Sequence, residues 1–216
     1  MSDGWTRRQE RTRRDVLDAA GSIIADHGVE AMTMRKLAER AGVAVATLYN
    51  QFDDRMGVLV AFVGAGLDQL EIDLDARPTL PPIDTTRALF DAMDARFDDE
   101  PDVWRPIFAT IQANPDVPGT GDVVERFVQI VLDDFSTAAE ASMFVAGVDV
   151  ERLARHVFVT RMNRVQTWAR GIIDWDEYRA SSTLGLELSL AAVLTEPARS
   201  EAFDRSGIAV GVPSAH

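Results

Sequence analysis

The chain has 216 residues, of which 46% are hydrophobic and 26% charged, with a net charge of −13. This composition suits a globular protein of one or two domains with a sizeable core. There is no cysteine and there are only three histidines (His27, His156 and His216). That excludes a disulfide scaffold and thiolate chemistry, and leaves little material for a metal or acid–base centre.

Runs free of charge and proline are too short to span a bilayer, and the polar, arginine-rich start lacks the apolar segment of a secretory signal. The expectation is a cytoplasmic protein without metal or cofactor. The charge is unevenly placed. Residues 1–55 carry nine basic and nine acidic residues, so the rest of the chain holds the whole of the −13. The first fourteen residues include Arg7, Arg8, Arg11, Arg13 and Arg14 against Asp3 and Glu10. A basic arm on an acidic body suggests two parts with different partners; a solvated, disordered tail is the other reading.

The pattern is helical nearly throughout, about nine helices in all. Segment 11–27 puts Val16, Leu17, Ala20, Ile24 and His27 on one stripe before the stop at Gly28. Thr33 caps a short helix ending near Ala41, and a second short helix follows Gly42 and runs to about Gln51. Asp53 or Asp54 caps a longer helix with Leu59, Phe62, Val63, Gly66, Leu70 and Leu74 inward. After a loop at 77–82, helices are expected at about 84–99, 101–113, 122–142, 149–173 and 176–195. The last of them extends to Ser206 through a kink at Pro197. The tail 208–216 reads as disordered.

Residues 34–52 (MRKLAERAGVAVATLYNQF) form two short helices around a glycine turn, the helix-turn-helix pattern. Ala38 is small where the helices cross, and Gly42 supplies the positive φ that the turn needs. Leu37, Ala41, Val43 and Leu48 suit the shared buried face. Val45, Ala46, Thr47, Tyr49, Asn50 and Gln51 remain for the surface.

From Arg14 to Leu59 the chain resembles the DNA-binding domain of the TetR family of transcriptional repressors. The resemblance rests on Val16-Leu17-Asp18-Ala19-Ala20, His27-Gly28, Thr33, Arg35, Leu37-Ala38, Ala41-Gly42-Val43, Thr47-Leu48-Tyr49, Phe52, Arg55 and Leu59. It implies an all-α protein in which a three-helix DNA-binding domain (1–53, with the basic arm) joins an effector-binding and dimerisation domain (54–207) through a fourth helix. It implies a homodimer on an inverted-repeat operator in double-stranded DNA, released by a small-molecule effector. By position, Thr33, Arg35, Thr47, Tyr49, Gln51 and Arg55 would meet phosphates or the groove edge. Val45, Ala46 and Asn50 would face base edges. The family commonly has Ser at Ala44, Gly at Ala46, His at Gln51 and Lys at Arg55. Ala44 therefore removes an expected N-cap.

The body is less informative. Trp104, Phe108, Met143, Phe144, Phe158 and Met162 are large residues suited to an effector cavity or to ordinary core. Arg161 lies on an otherwise apolar stripe, either anchoring an acidic ligand group or pairing with Glu187, the latter being the expectation. His156 falls on a polar face. Ser181, Gly185, Ser189 and Ala192 recur at helical spacing and, with Trp168 nearby, suit a dimer interface; close packing within one subunit is the alternative. No nucleophile elbow, phosphate-cradling loop or metal-ligand cluster appears, so catalysis is not expected. The alternatives to an effector-released repressor are a regulator without a small effector and a ligand-binding protein with a vestigial helix-turn-helix.

Overall fold

A computed structural model describes residues 3–76, 79–114 and 116–208, residues 3–7 by their backbone only. The predicted tail thus lies outside the described residues except for Ile208. Ten α-helices are described: α1 (Asp3–His27), α2 (Met34–Ala41), α3 (Val45–Phe52), α4 (Arg55–Asp75), α5 (Asp84–Asp99), α6 (Pro101–Gln112), α7 (Thr120–Glu140), α8 (Val150–Ala169), α9 (Trp175–Ala191) and α10 (Ala198–Arg205). A short 3-10 turn, Val29–Ala31, follows α1. No described helix is long and apolar enough to cross a membrane.

Side-chain caps set several helix starts. Thr33, Asp54, Asp149 and Asp174 each accept a hydrogen bond from the backbone N–H three residues on, at 3.3, 2.9, 3.0 and 2.9 Å. Each thereby satisfies one of the orphan donors of a first turn. Two expectations change. The arginine-rich start is the N-terminal part of α1 rather than a separate arm. The last helix does not kink at Pro197; it ends at Ala191, and α10 begins afresh at Ala198.

The chain divides into two compact units. The first comprises Met1–Pro78 and Asp91–Glu125, so α4, α6 and most of α5 lie with the helix-turn-helix. Its core joins Val16, Leu17, Ala20, Ile23 and Ile24 of α1 to Leu37, Leu48, Phe52, Val58, Leu59 and Ile107. On α4 the buried positions include Val58, Val60, Gly64 and Leu67 as well as the expected Leu59 and Leu70.

The second unit comprises Thr79–Phe90 and Arg126–His216. Two of its buried carboxylates are matched to donors on α5 and the turn before it. Asp134 of α7 accepts from the Ile83 and Thr86 N–H groups (3.1 and 2.8 Å) and from the Thr86 hydroxyl (2.6 Å), closing the N-terminus of α5. Glu187 of α9, which was expected to pair with Arg161, instead takes a two-pronged hydrogen bond from Arg87. The Arg87 Nε and Nη2 donate to its two carboxylate oxygens at 2.9 and 2.8 Å. Burial works to lower the proton affinity of the Arg87 guanidinium. The hydrogen bonds and charges of Glu187 and Asp84 outweigh it and hold the group above its ordinary range. Arg161 is buried elsewhere, 4.5 Å from the Phe90 ring centroid and 5.3 Å from that of Tyr178, and donates to the Phe90 carbonyl at 3.3 Å.

Removing one member of a buried ion pair strands the other charge. Arg87→Met is therefore expected to destabilise the protein by about 3–5 kcal/mol. The double variant Arg87→Met/Glu187→Met should recover most of that loss. Denaturant unfolding of the three proteins measures both effects, and equal stability of wild type and single variant would contradict the pairing.

Candidate nucleic-acid interface

Between α2 and α3 the chain turns at Gly42, whose φ of 67° lies in the left-handed region that glycine adopts without strain. The Gly42 N–H closes onto the Glu39 carbonyl at 3.3 Å, and that of Val43 onto Ala38 at 3.0 Å. Leu48 and Phe52 are the buried residues of α3. Leu37 and Ala38 of α2 are buried in the same core. The Arg13 guanidinium lies 5.2 Å from the Phe52 ring centroid, bracing α3 from α1. Arg40 of α2 donates to the Ser22 hydroxyl and to Asp26 of α1.

Fixing that face of α3 leaves the other bare. Tyr49 is 50% exposed and Val45 38%. Ala46, Thr47 and Asn50 are exposed, as are Thr33 and Arg35 at the start of α2. Gln51 is half-buried. The N-cap position of α3 is Ala44, with β-region backbone (φ −71°, ψ 142°) and no side-chain cap bond.

Arg55 is placed differently from a free phosphate ligand. Its Nη1 and Nη2 donate to the two Glu30 carboxylate oxygens at 3.1 and 2.9 Å, and Nη2 also donates to the Val29 carbonyl at 3.0 Å. It pins the start of α4 to the turn after α1. The Arg55 hydrogen bond and then its charge hold the exposed Glu30 carboxyl below its ordinary range. A depressed folded value means that the pair contributes above the ordinary Glu value of 4.5. That contribution is lost as the pH falls through the folded value. The sequence pattern does not identify Glu30, because the partners lie 25 residues apart.

The residues suggested for an effector site divide between the two units. Trp104 and Phe108 pack in the first, with ring centroids 5.9 Å apart, and each also meets Phe97 (5.6 and 5.3 Å). In the second, Phe158 meets Phe127 at 5.2 Å, while Arg161 lies over Phe90 and Tyr178. Met162 is half-buried there. Met143 lies where the segment after α7 bridges the end of α9: the Val145 N–H donates to Val193 at 2.8 Å and that of Thr195 to Met143 at 2.7 Å. His156 is exposed.

Of the residues suggested for dimerisation, Trp168 is buried, Ser181, Gly185 and Ser189 are half-buried and Ala192 is exposed. Trp168 is only 2% exposed and packs with Trp175 and Tyr178 at 5.2 and 5.5 Å, so it has no surface to give a partner. A Cβ on Gly185 would stand 2.9 Å from Thr160 Cγ2, so this glycine serves the close approach of α8. The Ser181 and Ser189 hydroxyls donate to Tyr178 and Gly185 carbonyls of their own helix, and Ala192 is exposed.

A bare recognition-type helix on a three-helix frame defines the helix-turn-helix class. Comparison with known proteins places the chain within it. Residues 16–62 match the family model for "Bacterial regulatory proteins, tetR family". The transcriptional repressor KstR of Mycolicibacterium smegmatis is 39% identical over 67 residues, 31% of this chain and 33% of that protein. KstR of Rhodococcus jostii is 24% identical over 88% of this chain and 86% of its own length. The transcriptional repressor LfrR of M. smegmatis is 30% identical over 60% of this chain and 67% of its own length. Among solved structures, SmeT, the repressor of the Stenotrophomonas maltophilia multidrug efflux pump SmeDEF, matches at 19% identity and a TM-score of 0.63. That match covers 86% of this chain and 92% of SmeT, and SmeT is also known as a triclosan complex. The chain belongs to the TetR family. The match spans about a third of the first of these relatives.

Two substitutions probe this face. Ala44→Ser supplies the missing cap and is expected to add about 1 kcal/mol of stability, read from thermal unfolding. An unchanged or lower midpoint would mean that position 44 cannot cap α3. Glu30→Gln releases Arg55 and removes a negative charge from the turn after α1. It should raise affinity for all duplexes alike and steepen the salt dependence; a weaker complex would mean that Arg55 acts by holding α4 in place.

Proposed function

We propose that the protein is a dimeric transcriptional repressor that binds an inverted-repeat operator and is released from it by a small molecule. The observation that carries this reading is the face of α3, where Val45, Ala46, Thr47, Tyr49 and Asn50 stand exposed while Leu48 and Phe52 anchor the helix. Small residues let a helix lie deep in a major groove. Asn50 is the amide that can pair with adenine, and Val45 and Ala46 suit thymine methyls. Tyr49, Thr47, Thr33 and Arg35 offer donors to phosphates. Arg8, Arg11 and Arg14, exposed on α1, add charge to the same unit.

Two such helices on a two-fold axis would meet successive major grooves about 34 Å apart. Release would require a coupling of about 1–3 kcal/mol between effector and operator sites. The triclosan complex of SmeT supports small-molecule binding on a similar fold. The named activity of the KstR and LfrR relatives supports repression.

The experiment is a binding panel of operator variants with two substituted proteins. Asn50→Ala should relax preference at one position per half-site, about 1–3 kcal/mol of lost discrimination. Tyr49→Ala should weaken all duplexes alike. A uniform loss for Asn50→Ala, or a shifted base preference for Tyr49→Ala, would overturn these roles. Unchanged operator affinity across a saturating panel of apolar effectors would overturn release by a small molecule.

A further inference from the structure

We propose that Lys36 is a phosphate contact of the DNA-binding face and a modification site, at which an acyl phosphate switches that contact off by acylating the amine. Of the 22 basic residues in the chain, Lys36 is the single lysine and all the others are arginine. A guanidinium stays protonated, whereas a lysine ammonium gives up a proton to become a nucleophilic amine. Amine-directed chemistry therefore has one side chain to act on in this protein.

Lys36 is the third residue of α2 and is exposed. Its backbone N–H donates to the Thr33 hydroxyl at 3.3 Å, so its side chain leaves from the same first turn as Thr33 and Arg35. Those two are phosphate donors in the DNA-binding reading above, on which this inference rests. Several other cations of the unit are committed elsewhere. Arg40 holds Ser22 and Asp26, Arg55 holds Glu30, Arg96 holds the Gly66 carbonyl, and Arg13 lies over Phe52. Among the described residues the Lys36 ammonium meets no carboxylate or other acceptor. An exposed cation without a partner gives up nothing within the protein when it meets a phosphate.

The chemistry needs only the amine and the donor. The neutral Lys36 Nζ attacks the carbonyl carbon of the acyl phosphate. A C–N bond forms there, and the bond from that carbon to the phosphate oxygen breaks. Inorganic phosphate leaves with the electron pair, and the amine proton passes to it or to water. The product is a neutral amide, so one positive charge is lost from each subunit. Exposed Arg35, the preceding residue, attracts the phosphate of the donor as it would that of DNA. Donor and duplex thus compete for the same turn.

The test incubates the full-length protein with acetyl phosphate, with and without a fixed mixed-sequence duplex. Trypsin cuts after Lys36 only while its amine is free, so peptide 36–40 (KLAER) survives digestion when it is acylated and is read by mass spectrometry. Acylation at Lys36 is expected, slowed by saturating duplex. The acylated protein should bind the duplex about fivefold or more weakly, with a salt slope shallower by about one per subunit. Lys36→Gln should bind as the acylated protein does. Lys36→Arg keeps the charge and should bind as wild type both before and after the incubation, although its terminal amine still reacts. Circular dichroism checks that each variant is folded. No adduct at Lys36 overturns the modification site. An adduct without loss of affinity, a rate that duplex does not slow, or a wild-type salt slope in Lys36→Gln overturns the phosphate contact. Equal loss in treated Lys36→Arg assigns the effect to another amine and overturns the switch. Failure at the adduct stage leaves the DNA-binding reading standing, because no DNA is needed there. Wild type that binds no duplex before treatment contradicts that reading and the switch together.

Discussion

The DNA-binding reading depends on the burial of Leu48 and Phe52, which decides which side of α3 faces outward. An eight-residue helix has little stability of its own, so tertiary packing must hold it. These two side chains enter the core built on α1, and Arg13 covers Phe52 from outside. Once they are fixed, the 3.6-residue period leaves Val45, Ala46, Tyr49 and Asn50 no place except the surface. The glycine turn at Gly42, the Thr33 cap and the Arg55–Glu30 pin all serve to hold that one orientation. The missing cap at Ala44 makes the orientation more dependent on packing and less on the helix itself.

The second unit is organised by buried polar pairs as much as by apolar contact. Asp134 ends a helix that it does not belong to, and Arg87 reaches a hundred residues along the chain to Glu187. Such groups are satisfied in one arrangement only, which penalises alternatives among long helices of similar composition. Arg161 lies against Phe90 and Tyr178 and donates to the Phe90 carbonyl, so ring faces and a backbone carbonyl contribute to holding its charge on an otherwise apolar stripe.

Much of this was legible in the sequence, and the reasons are local. Thr33 and one of Asp53 and Asp54 read as caps because short polar side chains before apolar runs have few other roles, and Thr33 and Asp54 are the caps. The helix-turn-helix was readable because glycine, small and apolar positions recur at fixed offsets. What failed was long-range or rotational. Periodicity places Glu187 and Arg161 on buried faces but does not say which helices those faces meet, so Arg87 was missed. On α4, apolar residues surround the helix, so the stripe chosen was only part of the buried surface. The arginine-rich start continues into α1 because Arg, Gln and Glu are good helix formers and no stop signal divides them from it. The small residues of α9 admit either a close approach within the subunit or a contact between subunits, and Gly185 at least makes room for Thr160 of the same chain.

The central claim is that the bare face of α3 reads DNA sequence. Selection of bound duplexes from a random pool at near-physiological salt tests it most directly. The account predicts enrichment of an inverted repeat whose half-site centres lie about one helical turn apart. A folded protein that enriches no sequence would contradict it.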